Sequence, residues 1–394
     1  MRQRIISTLF TLTIILIGSN QVLAQWALSE MNIAHQYDPG AEVFLKGKTM
    51  LVDDSLHLIL DFHIKQQESQ LYDYSFDVFL TNDLGQKLQT PKSKTQVDSS
   101  LLSSLGNIHV LKLSTTHSNA GWAIVKVSSG YSGFSFFFEF RITTINSPDF
   151  TLLEGGIPLV SNYAPIANYQ SSENITAFYY RHDFGIALPP MSEGDMPAKS
   201  LTIDSVFSWR QYDFQNLSNP GLYYFQKDTA STIGQSVLIT NKYFPELATL
   251  DHLIDPLIYI TTRREKEQLD NVQSKKDFDQ FWLDLTESPE RAKRIIKEYY
   301  DRVEFANALF TNFKEGWKTD PGMIFIIFGP PDEVIKQNKK ETWVYVQNSR
   351  LPKIRFEFIK SHNVFSSSQY TLLRKKNYDN IWFRAVDLWR KSRF

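Results

Sequence analysis

Asp320, Asp332 and Glu333 are the residues whose types and crowding invite chemistry. Three carboxylates within fourteen positions could serve general acid–base catalysis, or hold a divalent cation if they converge. They lie in GWKTDPGMIFIIFGPPDEV (316–334), where two turn-rich clusters bracket a short apolar run. The run MIFIIF (323–328) is continuously apolar and reads as a central strand buried on both faces. Six extended residues span about 20 Å. On that reading Asp320 and the Asp332–Glu333 pair sit at opposite ends of a strand, which counts against one catalytic cluster.

Each residue of the stretch also has a structural use. Gly316 suits a helix stop and Trp317 a hydrophobic plug beside it. Thr319 and Asp320 have short side chains that bond nearby backbone N–H groups, and Asp320-Pro321-Gly322 is turn chemistry. Gly329 ends the strand beside Pro330, Pro331 opens a short helix, and Asp332 and Glu333 suit its positive end. The framework reading is therefore preferred to the catalytic one. Arg302 and Asn307 sit upstream on one helix. Arg302 is expected to bridge to Asp320 or Asp332 and brace the corner, with an anionic ligand as the alternative partner.

Other chemistries find little support. The chain has no cysteine, which excludes thiolate zinc sites, cysteine nucleophiles, disulfides and a lipidated thiol. The eight histidines never approach metal spacing. His57 and His63 share a strand face with Asp61 between them, but a further ligand is missing. Nucleotide, serine-hydrolase and zincin motifs are absent, and neither a cofactor nor a metal is expected. A net charge of −1 argues against a surface built for nucleic acid.

The elements that must position these residues fall into three modules. Residues 1–24 read as a signal peptide, with Arg2 and Arg4, an apolar stretch (5–17) and a small-residue site at Ala24. Residues 25–147 read as strand after strand. In SLHLILDFHI the residues Leu56, Leu58, Leu60, Phe62 and Ile64 share one face. Six or seven such strands suggest an immunoglobulin-like β-sandwich. Residues 148–255 read as a second, less regular β-sandwich, with PPMSEGDMPAKS (189–200) as a solvated loop. Residues 256–394 change period and read as an α+β domain. Ser274 and Asp277 spell a helix cap, and Ser288-Pro289-Glu290 starts a longer helix. Ile295, Ile296, Tyr299, Val303, Ala306, Phe310 and Phe313 form its stripe, and the helix is expected to run to Gly316. Strands follow at 341–347, 353–359 and 367–373, and Trp382, Ala385, Val386 and Trp389 share a last helical face.

Gly316-Trp317-x-Thr319-Asp320, followed by Gly322, the apolar run, Gly329-Pro330-Pro331-Asp332-Glu333 and Trp343, resembles the GWxTD domain family of bacterial cell-envelope proteins. PLIYITTRREKEQL (256–269), DFDQFWLDL (277–285) and YYDRVEFANALF (299–310) are similar to the family's lead-in, so the likeness covers roughly residues 250–350. It implies an exported protein and carries no established activity. The expectation is a non-enzymatic envelope protein, periplasmic or extracellular and not a lipoprotein. Its sandwiches would bind or space, its GWxTD domain would dock, and other envelope proteins would be its partners. A hydrolase of envelope glycan or peptide using Asp320, Asp332 and Glu333 is one alternative, and a component of a secretion or surface-assembly machine is another. From Lys339 onward Lys and Arg outnumber Asp and Glu about three to one, so an anionic membrane surface or glycan is a further candidate partner.

Overall fold

The computed structural model describes residues 25–391 apart from 53, 90–92, 117–118, 143–148, 155–156, 159–174, 182–183, 193–201, 210–216, 218, 242, 362 and 367–368. The expected signal peptide and most of the 189–200 loop lie outside the described residues.

The first strands follow the alternation of the sequence. After β1 (Gln25–Trp26) come β2 (Val43–Val52), β3 (Ser55–Ile64), β4 (Tyr74–Thr81), β5 (Leu88–Gln89), β6 (Asp98–Leu105), β7 (Ile108–Thr116), β8 (Trp122–Ser129) and β9 (Ser135–Arg141). They pair antiparallel into a four-stranded sheet, β2-β3-β7-β6, and a three-stranded one, β4-β8-β9, with β1 and β5 as a separate pair. Leu58, Leu60 and Phe62 of β3 meet Val78, Val125, Val127 and Phe138 of the other sheet in one core. All five residues assigned to that face of β3 are buried. Strand β6, DSSLLSSL, has no alternation to betray it. It is almost wholly exposed and exists because β7 offers an edge to pair with.

The next strands are β10 (Asp149–Glu154), β11 (Ile157–Pro158), β12 (Ile175–Tyr180), β13 (Ser205–Trp209), β14 (Gly221–Gln226) and β15 (Gln235–Thr240). The described residues place them in one six-stranded sheet, β11-β10-β15-β14-β12-β13, where two facing sheets are expected. One face of it gathers Trp209, Tyr223, Phe225 and Val237. The other lays Tyr180, Leu222, Tyr224 and Leu238 against Phe313 and Phe365 of the C-terminal part.

The C-terminal part mixes helices and strands. Helices α1 (Leu250–Ile254), α2 (Arg263–Leu269), α3 (Lys275–Thr286), α4 (Pro289–Phe310) and α5 (Asp320–Phe328) precede a four-stranded antiparallel sheet of β16 (Glu333–Lys336), β17 (Lys340–Tyr345), β18 (Ile354–Lys360) and β19 (Tyr370–Leu372), and α6 (Asp379–Arg390) closes it. The caps read from the sequence are in place, with Ser274 accepting from the Asp277 N–H and Ser288 from the Arg291 N–H.

MIFIIF is not a strand but the body of α5. A short apolar run carries no period that separates a buried strand from a buried helix. Here the start signal decides: Thr319 caps the Gly322 N–H, and Pro321 stands in the first turn. Met323 to Ile327 are all at most 1 % exposed, so the helix is apolar all round because it is enclosed all round. Two further expectations shift with it. Helix α4 stops at Phe310 with Thr311 as its cap, so Phe313 and Gly316 lie beyond it. Pro331 opens no helix, and the chain enters β16 instead.

A connecting segment joins the ends of the molecule. Residues 27–37 run beside β16, where the Ile33 N–H donates to the Val334 carbonyl and Asn32 bonds both the Asp332 carbonyl and the Val334 N–H. Phe79, Trp122 and Phe137 of the first module therefore belong to the same buried cluster as Trp343, Phe358 and Trp389.

Candidate functional site

The corner around Gly316 is built on close backbone approach. A β-carbon on Gly316 would stand 1.9 Å from the Ala306 carbonyl oxygen, and one on Gly322 would stand 1.9 Å from the Gly316 carbonyl oxygen. The turn Gly316–Lys318 thus presses into α4, and α5 presses into the turn. Asn307, 2 % exposed, accepts from the Trp317 N–H at 3.1 Å, and the Tyr259 hydroxyl donates to the Trp317 carbonyl at 2.9 Å. Thr319 Oγ1 donates to the Gly316 carbonyl at 2.7 Å while accepting from Gly322 at 3.1 Å. Trp317 itself is buried against Tyr259.

The three carboxylates do not converge. Eight further residues of α5 separate Asp320 from Gly329, a rise of roughly 14 Å. Asp332 accepts from the Val346 N–H at 2.8 Å, and Glu333 is exposed. Asp320 is held by Arg374 on both oxygens, at 2.6 and 3.1 Å, and accepts the Leu372 N–H at 2.7 Å. Arg302 bridges to neither aspartate. It pairs with Glu298 one turn back, reaches the Ile326 carbonyl at 3.3 Å and lies over the Trp389 ring. Gly329 takes a positive φ of 81° where α5 ends, next to that guanidinium. Pro330 is exposed and Pro331 buried.

Asp320 does line a cavity. A space of about 380 Å³ opens between the C-terminal part, the connecting segment and the stretch Gly185–Leu188. Its walls include Lys314, Thr319, Asp320 and Arg374 at one side and Tyr37, Lys336, Glu341 and Trp343 at the other, with Leu309, Phe310 and Phe358 between. The second side is a closed polar network. Glu341 Oε1 accepts the Tyr37 hydroxyl at 2.6 Å and the Trp343 Nε1–H at 2.7 Å. Lys336 lies 2.6 Å from Glu139 on β9 and 3.3 Å from Glu341. Burial opposes the Lys336 charge, but the two glutamates outweigh it and hold its pKa well above the ordinary lysine value. Lys314 has no such pair. Burial pulls its pKa down to about 8, against the opposing field of Asp320.

Residues 221–391 match the model of the GWxTD domain. This part of the chain is a GWxTD domain. The match reaches beyond the 250–350 stretch at both ends, beginning at β14 of the six-stranded sheet and running to the end of α6. Arg374 therefore falls inside the GWxTD domain together with the Asp320 it grips. No curated protein matches the chain. Among solved structures, the tandem Ig repeats of Dlar are similar at 12 % identity over 50 % of this chain and 98 % of that one, with a TM-score of 0.14. A likeness of that size carries no argument.

Sequence reasoning found the motif but missed most of the cavity. Lys314, Lys336, Glu341 and Tyr37 carry no local pattern, because their roles depend on a chain crossing from the first module. Arg374 was visible as part of the basic run Arg374-Lys375-Lys376, yet that run is not a free basic face. Arg374 goes to Asp320, Lys375 to Glu357 and, further on, Arg390 to Glu265. Among the described residues no group of three or more His, Asp or Glu side chains could hold a metal ion, and no helix is long and apolar enough to cross a membrane.

Proposed function

We propose that this is an exported, non-enzymatic protein of the cell envelope, acting as a rigid binding scaffold. Its first module would be an immunoglobulin-like sandwich that presents a surface to other envelope proteins, and its GWxTD domain would anchor that surface. One observation carries the reading: besides its own core, the first module buries Phe79, Trp122, Ile124 and Phe137 in one cluster with the GWxTD domain, and Glu139, Lys336 and Glu341 cross-link the two. Spacer modules meant to move would meet through smaller, more polar contacts. The carboxylates argue the same way. Asp320 is neutralised by a bidentate arginine, Asp332 accepts a hydrogen bond from a backbone amide, and neither Asp332 nor Glu333 lines the cavity.

The test has two arms. Fractionation of cells making the full chain should place the processed protein in the envelope, and incubation with purified envelope glycan and peptide should yield no turnover. Turnover that disappears in Asp332→Asn or Glu333→Gln, two exposed and structurally mild changes, would establish the hydrolase reading instead.

A further inference from the structure

We propose that the cavity is a binding site for a small organic monoanion, a carboxylate on an apolar body, received by Lys314 and Arg374. This rests on the binding role proposed above and names the ligand class. Lys314 is 9 % exposed and lines the cavity, and among the described residues its ammonium bonds only the Gly185 carbonyl, at 2.6 Å. An ammonium has three protons to donate, and Lys314 has no ion-pair partner among the described residues. The nearby acid, Asp320, is already committed to Arg374 and to the Leu372 N–H. Arg374 in turn leaves its Nε buried without a hydrogen-bond partner. Two cations thus share one carboxylate at this side, and the Lys314 ammonium keeps unused donors.

A single excess positive charge selects a monoanion, because a dianion would leave the enclosed space negative. The Glu341 side has no comparable vacancy, since Tyr37, Trp343 and Lys336 already cover its two oxygens. Between the two sides Ile186, Leu309, Phe310 and Phe358 line the space with carbon. The volume of about 380 Å³ lies in the range of small-molecule pockets. The low pKa of Lys314, about 8, is what an ammonium without a counter-ion shows, and a bound carboxylate would raise it.

The experiment measures binding of octanoate, octanol and octylamine to the full chain by titration calorimetry. The three probes have nearly the same apolar body and differ chiefly in the charge of the head. Octanoate is expected to bind at least about tenfold more tightly than the other two. Lys314→Met should erase that preference, and Leu309→Trp, which fills the space from α4, should abolish binding. Absence of octanoate binding, equal binding of all three, or a preference untouched by Lys314→Met overturns the site. Should Lys314→Met fail to fold, the probe series and Leu309→Trp decide. None of these outcomes touches the scaffold reading, which stands or falls on envelope location and polymer turnover.

Discussion

Removing the Lys336 ammonium puts the cross-link between modules to the test. The residue sits on β16 with its side chain 13 % exposed, between Glu139, at 3 %, and Glu341, at 5 %. Lys336→Met keeps the length of the stem and deletes the charge, leaving two buried carboxylates facing each other. Breaking a buried ion pair from one side costs about 3–5 kcal/mol, because the partner is stranded without water or counter-charge. Two stranded glutamates place the expected loss at the upper end of that range. Calorimetric unfolding of the full chain should show it as a lowered transition that splits, the first module melting apart from the GWxTD domain. The charge argument makes a second demand. Adding Glu139→Gln and Glu341→Gln should restore most of the loss, since the neutral amide at 341 can still accept from Tyr37 and Trp343. A single variant within about 1 kcal/mol of wild type, or a triple variant no better than the single, would refute the reasoning.

Asp61 offers a pH test. Its buried Oδ1 lacks a hydrogen-bond partner, and burial raises its pKa to about 6 despite the nearby Lys46. The folded state then holds the proton more tightly than the unfolded one, so stability falls as pH rises from about 4 to about 6, by roughly 3 kcal/mol. Asp61→Asn should remove that slope and be the more stable protein at pH 7.5 in urea titrations, and an unchanged slope would count against it. Gly322→Ala forces a β-carbon into the Gly316 carbonyl oxygen and should cost upwards of about 3 kcal/mol in the same titrations. Glu265, whose pKa hydrogen bonds from Arg390 lower to about 2, should titrate closer to ordinary glutamate in Arg390→Ala, as read by NMR.

Much of the fold was legible because most elements announce themselves locally. The face of β3, the caps of α3 and α4 and the stripe of α6 follow from spacing and cap chemistry alone, and the structure buries that face of β3 and Trp382, Ala385 and Trp389 of α6, with Val386 half-buried. Failures came where burial replaces pattern. A helix enclosed on all sides, such as α5, has no polar face and mimics a strand. An exposed edge strand, such as β6, has no apolar face and mimics a loop. The site divided in the same way. Gly316 and Thr319 were recognisable as a corner, since their bonds are to neighbours within a few positions, whereas Asp320 bonds no nearby N–H as expected but Leu372 and Arg374, more than fifty positions on. Arg302 was misassigned because two aspartates and one glutamate were within sequence reach, and only the direction of α5 decides which it meets. The cavity was out of reach, because Tyr37 meets Glu341 across 304 positions.

That separation bears on how the chain acquires its shape. Asn32 closes its hydrogen bond with Asp332, 300 residues later, and Ile33 pairs with Val334 beside it. A chain emerging amino end first cannot seat residues 27–37 until β16 exists, so the first module has to wait with its docking edge uncovered. Contacts of such range form slowly, because the loop must close before any contact repays the lost entropy. During that interval the uncovered edge is open to wrong partners.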